Sequence, residues 1–359
     1  ITTNNMDFSF RKRSACIEFF RVVALLAFLP KLKAFQAFTS NYAQKDFCTH
    51  GRSGNIPCRS AAFDSPVVTT EWLEDHIDDV KVVDIRGKVR KLGGTDESGL
   101  LLHQYEALDK DYWESHIPGA VFVDWTKDIA KEVGGVKAQL KPRDEFITAM
   151  EERGIGGDTS VVVYDSGSML FATRFWWAMK VYGHQNVAVL DGGWAKWQAE
   201  ERETSNEGMP CPLKAHQDWN IPEESCMPEI LSTAEDVLQK CVENSSGPQL
   251  VDARGAVQFR GEERRANRAG RIPGSISLPY KSLLEKREGY TVLKSKEALQ
   301  STLEQAGVDI GKTTIAYCNG GVASTVVLLA LHLLGNDFWS NYDGSWNEWG
   351  NEDELPIET

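Results

Sequence analysis

The chain has 359 residues, 42% apolar and 25% charged, the balance of a soluble globular protein long enough for two ordinary domains. Its 39 Lys and Arg against 52 Asp and Glu give a formal charge of −13, unevenly spread. Residues 1–63 hold nine basic and three acidic residues, leaving 30 and 49 for the remainder, a net of −19. A body that acidic excludes nucleic acid, and in its mature form a membrane surface, as partners; positive charge at an anion pocket has to be local.

At the start of the chain, Arg11-Lys12-Arg13 precede an apolar stretch from Ile17 to Pro30, too brief and interrupted to span a bilayer. Lys33-Ala34-Phe35-Gln36-Ala37-Phe38 and a Ser/Thr/Asn-rich, acid-poor tail follow. Residues 1–63 therefore read as a targeting leader. They resemble bipartite plastid leaders; a mitochondrial presequence is the alternative. The seven cysteines, at 16, 48, 58, 211, 226, 241 and 318, include no CxxC pair and no zinc-type Cys/His cluster, so thiol chemistry is favoured over a disulfide framework or a metal site.

The rest of the chain repeats itself. Val83-Asp84-Ile85-Arg86-Gly87 recurs as Val251-Asp252-Ala253-Arg254-Gly255, and His116-Ile117-Pro118-Gly119 as Arg271-Ile272-Pro273-Gly274. Leu140-Lys141 and Leu293-Lys294 stand 25 residues before Asp165 and Cys318, and Asp191-Gly192-Gly193-Trp194 recurs as Asp343-Gly344-Ser345-Trp346. The first copy spans about 64–205 and the second about 229–359, joined by a connector at about 206–228. Cys211 and Cys226 flank that connector, either as unpaired thiols or as a reversible redox clamp.

In the second copy, Ser232-Thr233-Ala234-Glu235 predicts a capping box opening a helix. Gln249–Val251 and Thr313–Tyr317 have strand character, and Val326–Leu334 predicts a helix closed by Gly335. This rhythm predicts an α/β fold, each copy a parallel sheet with helices on both faces, with chemistry at the carboxyl ends of the strands. Cys318 sits at such an end. The loop Cys318-Asn319-Gly320-Gly321-Val322-Ala323-Ser324 has two glycines that let backbone N–H groups curl towards the sulfur, and a helix N-terminus that favours a thiolate. Such a cysteine can take up a sulfur atom as a persulfide and pass it on.

The Asp-Ala-Arg strand end, the Ile-Pro-Gly turn, the Tyr317-Cys318 loop and the closing Asp-Gly-Ser-Trp together resemble the tandem-domain rhodanese family, the thiosulfate and 3-mercaptopyruvate sulfurtransferases. The resemblance implies two tandem rhodanese-like domains. The first is non-catalytic, with Asp165 where the second has Cys318. Sulfane sulfur would pass from 3-mercaptopyruvate or thiosulfate to a thiol or cyanide acceptor, with thioredoxin and glutathione as candidate acceptors and no cofactor. The alternative is a non-enzymatic carrier that hands sulfur to a protein partner. Phosphatases of this fold carry an arginine six residues after the cysteine; position 324 is Ser, which argues against that activity.

The neutral loop resembles that of mercaptopyruvate-preferring members, whose substrate carboxylate is held by arginines. Candidates here are Arg260, Arg264, Arg265 and Arg271, the last in place of the family's histidine and able to restore charge to the pocket. Gln258 stands where the family has arginine, and Gly320 where it has a serine or threonine. Asp252 and Arg254 are expected to form a structural ion pair, Asp191 and Asp343 to shape tight turns, and Trp176, Trp177, Trp194 and Trp346 to lie in core or interface. Arg174 and His116 are first-copy residues able to face the interdomain cleft, without a direct catalytic role.

Overall fold

The computed structural model describes residues 63–95, 101–208, 218–244 and 246–359. Residues up to 62 of the expected leader, and Cys211, lie outside the described residues. The first copy runs through β1 (Val67–Val68), α1 (Thr70–Asp75), β2 (Lys81–Asp84), a hairpin of β3 (Gly87–Thr95) and β4 (Leu101–Ala107), α2 (Asp109–Glu114) and β5 (Val121–Phe122). A second hairpin, β6 (Ala130–Val133) and β7 (Val136–Leu140), leads to α3 (Arg143–Glu151), β8 (Val161–Tyr164), α4 (Leu170–Val181), β9 (Val187–Leu190) and α5 (Gly193–Ala199).

The second copy repeats the plan with β10 (Leu231–Ser232), α6 (Ala234–Val237), β11 (Gln249–Asp252), α7 (Ala256–Phe259) and β12 (Ile276–Ser277). A hairpin of β13 (Leu284–Lys286) and β14 (Thr291–Leu293) precedes α8 (Lys296–Ala306), β15 (Thr314–Tyr317), α9 (Ser324–Leu333), β16 (Trp339–Tyr342) and α10 (Ser345–Trp349). The expected capping box is present but shifted by one residue: Thr233 is the cap and Asp236 its reciprocal partner. Helix α9 ends as expected, with Gly335 just beyond it at φ +85°.

The two five-stranded sheets have the orders β1-β9-β8-β2-β5 and β10-β16-β15-β11-β12, every pairing parallel. Each strand of one order has its repeat at the same place in the other, so the duplication read from sequence is a duplication of topology. Strands such as Val-Val-Val-Tyr (β8) and Thr-Ile-Ala-Tyr (β15) are buried along their whole length, because both sheet faces are covered. Alternate residues go to different cores. Val162 and Tyr164 join Leu73, Trp194 and Trp197 on one outer face, and Ile315 and Tyr317 join Val237, Trp346 and Trp349 on the other. Val161, Val163, Ala316 and Cys318 point the opposite way, into one apolar cluster shared by both copies.

The same polar cluster sits inside each copy. Arg254 pairs with Asp252 at 2.6 Å, lies over the Trp346 ring at 4.4 Å, and Tyr317 donates its hydroxyl to Asp252 at 2.8 Å. Arg86, Asp84, Trp194 and Tyr164 repeat it at 2.8, 4.7 and 2.7 Å. These ion pairs are structural, as the sequence suggested, and the tryptophans lie in the core.

The copies meet through α4 and α9, whose Thr173 and Thr325 hydroxyls touch at 2.8 Å. Asp191 and Asp343 do more than shape turns. Asp343 of the second copy accepts the Leu140 N–H of the first at 2.7 Å, and Asp191 of the first accepts the Leu293 N–H of the second at 2.8 Å. The contact is reciprocal because the two leucines and the two aspartates are repeats of each other.

Candidate active site

Cys318 follows β15 directly, 3% exposed, and the loop after it folds back against the start of α10. Ser345 anchors the fold-back. Its hydroxyl oxygen accepts the N–H groups of Cys318 (3.1 Å) and Gly321 (3.0 Å) and donates to the Tyr342 carbonyl (2.7 Å). Trp346 N–H and Asn347 N–H bind the carbonyls of Cys318 and Asn319 at 3.0 and 2.7 Å. Gly321 has φ +70°, and a Cβ there would stand 2.7 Å from an Asp343 carboxylate oxygen, so this position needs glycine twice over. Ser345 itself has φ +52°, where copy one has Gly193 at φ +53°; the serine accepts backbone strain in return for three hydrogen bonds.

The Ser324 hydroxyl lies 3.7 Å from the Cys318 sulfur, but its single proton is given to Asn341 Oδ1 at 2.6 Å. Asn341 in turn donates to the Gly321 carbonyl at 2.9 Å. Arg174 reaches in from the first copy, 1% exposed. It pairs with Asp343, donates to the carbonyls of Gly321 (3.0 Å) and Ala138 (3.0 Å), and lies over Trp177. It faces the back of the loop and not the cleft, so it positions the loop. His116 is buried against the Tyr112 ring at 4.1 Å, also away from the cleft.

What the loop is built to hold can be read from the first copy. There the Asp165 carboxylate accepts the N–H groups of Gly167 (2.8 Å), Met169 (3.1 Å) and Phe171 (3.0 Å) from the repeat of the same loop. The segment after Cys318 is one residue shorter, 17 residues to Gly335 against 18 from Asp165 to Gly183, and its Gly320, Val322 and Ser324 amides bind no protein acceptor among the described residues. One loop is closed around its own anion. The other leaves amides of the segment that follows Cys318 open.

A cavity of about 710 Å³ opens onto Cys318 between the copies. The first copy contributes Lys88, Lys91 and Tyr105 from the β3–β4 hairpin, and Ser166, Ser168 and Phe171 from its own loop region; the second contributes Gln258, Arg265 and Tyr280. Lys88 is paired with Glu106 at 3.2 Å and Lys91 with Glu263 at 3.5 Å, whereas Lys281 lies exposed at the rim. Arg265 is half-buried and makes no ion pair or hydrogen bond with the described residues; burial pushes its guanidinium below its ordinary value, with Tyr105 and Cys318 opposing that shift. Burial, helped by Asp165 and Cys318, pushes the Tyr280 hydroxyl up to about 12, so it stays protonated at working pH.

The other sequence-predicted residues divide. Gln258 reaches the site as a buttress, accepting from Asn319 Nδ2 at 3.0 Å and donating to Glu263 at 2.6 Å. Arg260 does not line the cavity: it turns outward off the end of α7 and pairs with Glu262 at 2.6 Å. Arg264 bonds the Asn267 carbonyl at 3.3 Å, also outside the cavity. Arg271 restores no charge to the pocket, because Glu358 of the C-terminal segment captures it at 2.5 Å and Phe259 stacks under it. Two contributors were missed. Ser345 was signalled by the one mismatch in the repeated Asp-Gly-Gly/Ser-Trp motif. The β3–β4 hairpin was signalled by the spacing of 33 residues from Asp84 to Ile117 against 20 from Asp252 to Ile272. Among the described residues no His/Cys/Asp/Glu group could hold a metal, and no helix is long and apolar enough to cross a membrane.

Comparison with known proteins agrees with this architecture. The family model described as "Rhodanese-like domain" matches twice, at residues 69–200 and 233–352. The chain is 33% identical over 294 residues to the 3-mercaptopyruvate sulfurtransferase of Escherichia coli K12, covering 81% of this chain and 97% of that protein. It is 29% identical over 352 residues to thiosulfate/3-mercaptopyruvate sulfurtransferase 2 of Arabidopsis thaliana, covering 92% and 98%. Among solved structures, Escherichia coli SseA, described as a 3-mercaptopyruvate sulfotransferase of rhodanese fold, superposes with a TM-score of 0.64 at 31% identity, over 79% of this chain and 99% of its own. With two matched domains, a shared topology and relatives covered almost end to end, the chain belongs to the rhodanese family and is a tandem-domain sulfurtransferase.

Proposed function

We propose that Cys318 carries the transferred sulfur as a persulfide and that 3-mercaptopyruvate is the preferred sulfur donor. The observation that carries this reading is the contrast between the repeated loops: amides after Asp165 bind its carboxylate, whereas the Gly320, Val322 and Ser324 amides after Cys318 have no protein acceptor among the described residues. The Cys318 thiolate attacks the sulfur of the donor, the carbon–sulfur bond breaks with its electron pair going to the enolate of pyruvate, and a proton converts the enolate to pyruvate. The persulfide anion left on Cys318 is held by the open N–H groups until a thiol or cyanide takes its outer sulfur.

Donor choice follows from charge. Inside the cavity Arg254 is neutralised by Asp252, Lys91 pairs with Glu263 and the half-exposed Lys88 shares Glu106 with Arg90, so Arg265 is the half-buried cation left for a substrate anion. One cation suits the carboxylate of a monoanionic 2-oxo acid better than dianionic thiosulfate, and a charge-assisted hydrogen bond there contributes about 1.5–3 kcal/mol. Incubation with 3-mercaptopyruvate should add the mass of one sulfur atom, removable by cyanide. Cys318→Ser should abolish both adduct and turnover, and Cys241→Ser neither. Equal or better kcat/KM with thiosulfate defeats the donor assignment, and turnover surviving in the Cys318 variant defeats the whole reading. A persulfide that forms without turnover on small acceptors would favour the carrier role.

Residues 1–63 serve, in the same reading, as an organellar address, plastid before mitochondrion. Support comes from Arg11-Lys12-Arg13, the apolar stretch behind it and the scarcity of acids up to Ala62. A reporter fused to residues 6–63 that stays cytosolic would contradict it.

A further inference from the structure

The cavity holds a hydroxyl that the catalytic copy does not supply. Gly320, two residues after Cys318, has no side chain. A Cβ there would stand 2.9 Å from Asn347 Nδ2 and 3.5 Å from the Tyr105 hydroxyl, so two polar groups from elsewhere already fill the space above the loop. Tyr105 comes from the β3–β4 hairpin of the first copy and lines the same cavity as Cys318 and Arg265. Asn347 Nδ2 donates to its oxygen at 3.3 Å, which occupies a lone pair and leaves the hydroxyl proton uncommitted. The ring is fixed edge-on against Trp125 at 5.3 Å, and Trp125 is itself tied to the hairpin by its Nε1–H to the Glu106 carbonyl at 3.0 Å. Arg265 lies within electrostatic reach of both Tyr105 and Cys318.

We propose that Tyr105, supplied by the non-catalytic copy, is a catalytic residue that donates its hydroxyl proton in a hydrogen bond to the keto oxygen of the 2-oxo-acid sulfur donor and stabilises the enolate as sulfur departs. The proposal rests on Cys318 being the sulfur carrier and on a 2-oxo-acid donor. A donor whose carboxylate meets Arg265 and whose sulfur meets Cys318 carries its keto oxygen between the two, on the side where Tyr105 stands. As the Cys318–sulfur bond forms and the carbon–sulfur bond breaks, the released electron pair moves onto that oxygen. The hydrogen bond from Tyr105 therefore strengthens in the transition state, which is where a donor of this kind accelerates the reaction. The proton of the donor thiol balances the enolate, giving pyruvate and the persulfide anion, and no oxidant or reductant is needed.

The test is Tyr105→Phe, which keeps the ring against Trp125 and removes only the hydroxyl. Its kcat with 3-mercaptopyruvate is expected to fall on the order of 100-fold. The rate at which inorganic polysulfide persulfidates Cys318, followed by intact mass, is expected to stay within about twofold, because no enolate forms in that reaction. Equal losses with both sulfur sources would make Tyr105 a structural residue, and an unchanged kcat would give it no role in the step; either overturns the proposal. Failure of the underlying reading looks different: the unmodified protein would then show no adduct on Cys318, or no turnover of 3-mercaptopyruvate, before any variant is made.

Discussion

Asp343→Asn tests how the first copy holds the Cys318 loop. The substitution keeps the shape of the side chain and removes the charge facing Arg174, which is 1% exposed and has no other carboxylate beside it among the described residues. Leaving a buried guanidinium without its counter-charge costs about 3–5 kcal/mol. The symmetry of the fold provides the control. Asp191 makes the same reciprocal bond to a leucine amide, but the residue repeating Arg174 in the second copy is Val326, so no buried arginine faces it. Burial already raises the Asp191 carboxyl towards its neutral form, and an amide oxygen still accepts the Leu293 N–H, so Asp191→Asn should cost only about 0.5–1.5 kcal/mol. With a urea slope of about 3 kcal/mol/M, Asp343→Asn should lower the unfolding midpoint by at least about 1 M, well beyond the Asp191 variant. Adding Arg174→Met to Asp343→Asn should recover part of the loss, because the stranded charge is then gone. Equal midpoint shifts for the two aspartates, or no recovery in the double variant, would refute the argument.

Other expectations are independent of that one. His184 is fully buried, and burial pulls its imidazole down from 6.5 to about 4. The unfolded chain therefore takes up a proton first, and stability present above about pH 6.5 is lost as pH falls towards 4, about 2 kcal/mol of it between pH 7 and 5. Urea midpoints should show this slope reduced in His184→Gln; an unchanged slope rejects the assignment. Burial raises the Cys241 thiol to about 11, so alkylation at pH 8 should mark Cys241 far more slowly than a free thiol, and its share of stability is present below about pH 9 and lost as pH rises towards 11. Rapid labelling at pH 8 would contradict that burial. Ser345→Ala removes the acceptor shared by the Cys318 and Gly321 amides. It should lower kcat by about tenfold or more with little change in KM, and a pure KM effect would place the loop's anchor elsewhere.

The fold was legible because it is local and repeated. Strands that lead into Asp84, Asp252, Asp165 and Cys318 announce themselves as short apolar runs, and the shared order of the repeated motifs fixes which strands correspond. The Asp252–Arg254 pair was legible for the same reason, its partners lying two residues apart. Contacts that bring distant segments together were not. Asp343 meets Leu140 across 203 residues and Arg174 across 169, and nothing in a four-residue Asp-Gly-Ser-Trp motif distinguishes a turn from an interdomain acceptor. Selection among the arginines failed similarly. Arg260, Arg264, Arg265 and Arg271 are equal on paper, and only the positions of Glu262, Asn267 and Glu358 show which three are engaged elsewhere.

The loop closed around Asp165 also gives the molecule a reference within itself. One chain carries the same fold twice: the first copy holds a tethered carboxylate, and in the proposed cycle the second alternates between thiolate and the larger persulfide anion. By mass action the second copy alone should become harder to open as sulfur is supplied. Amide protons at Gly320, Val322 and Ser324 should then exchange with solvent at rates that follow the sulfur load, while those at Gly167, Met169 and Phe171 keep one rate throughout. The ratio of the two sets, taken from a single sample, reports how much of the protein is charged with sulfur without any need to know its concentration.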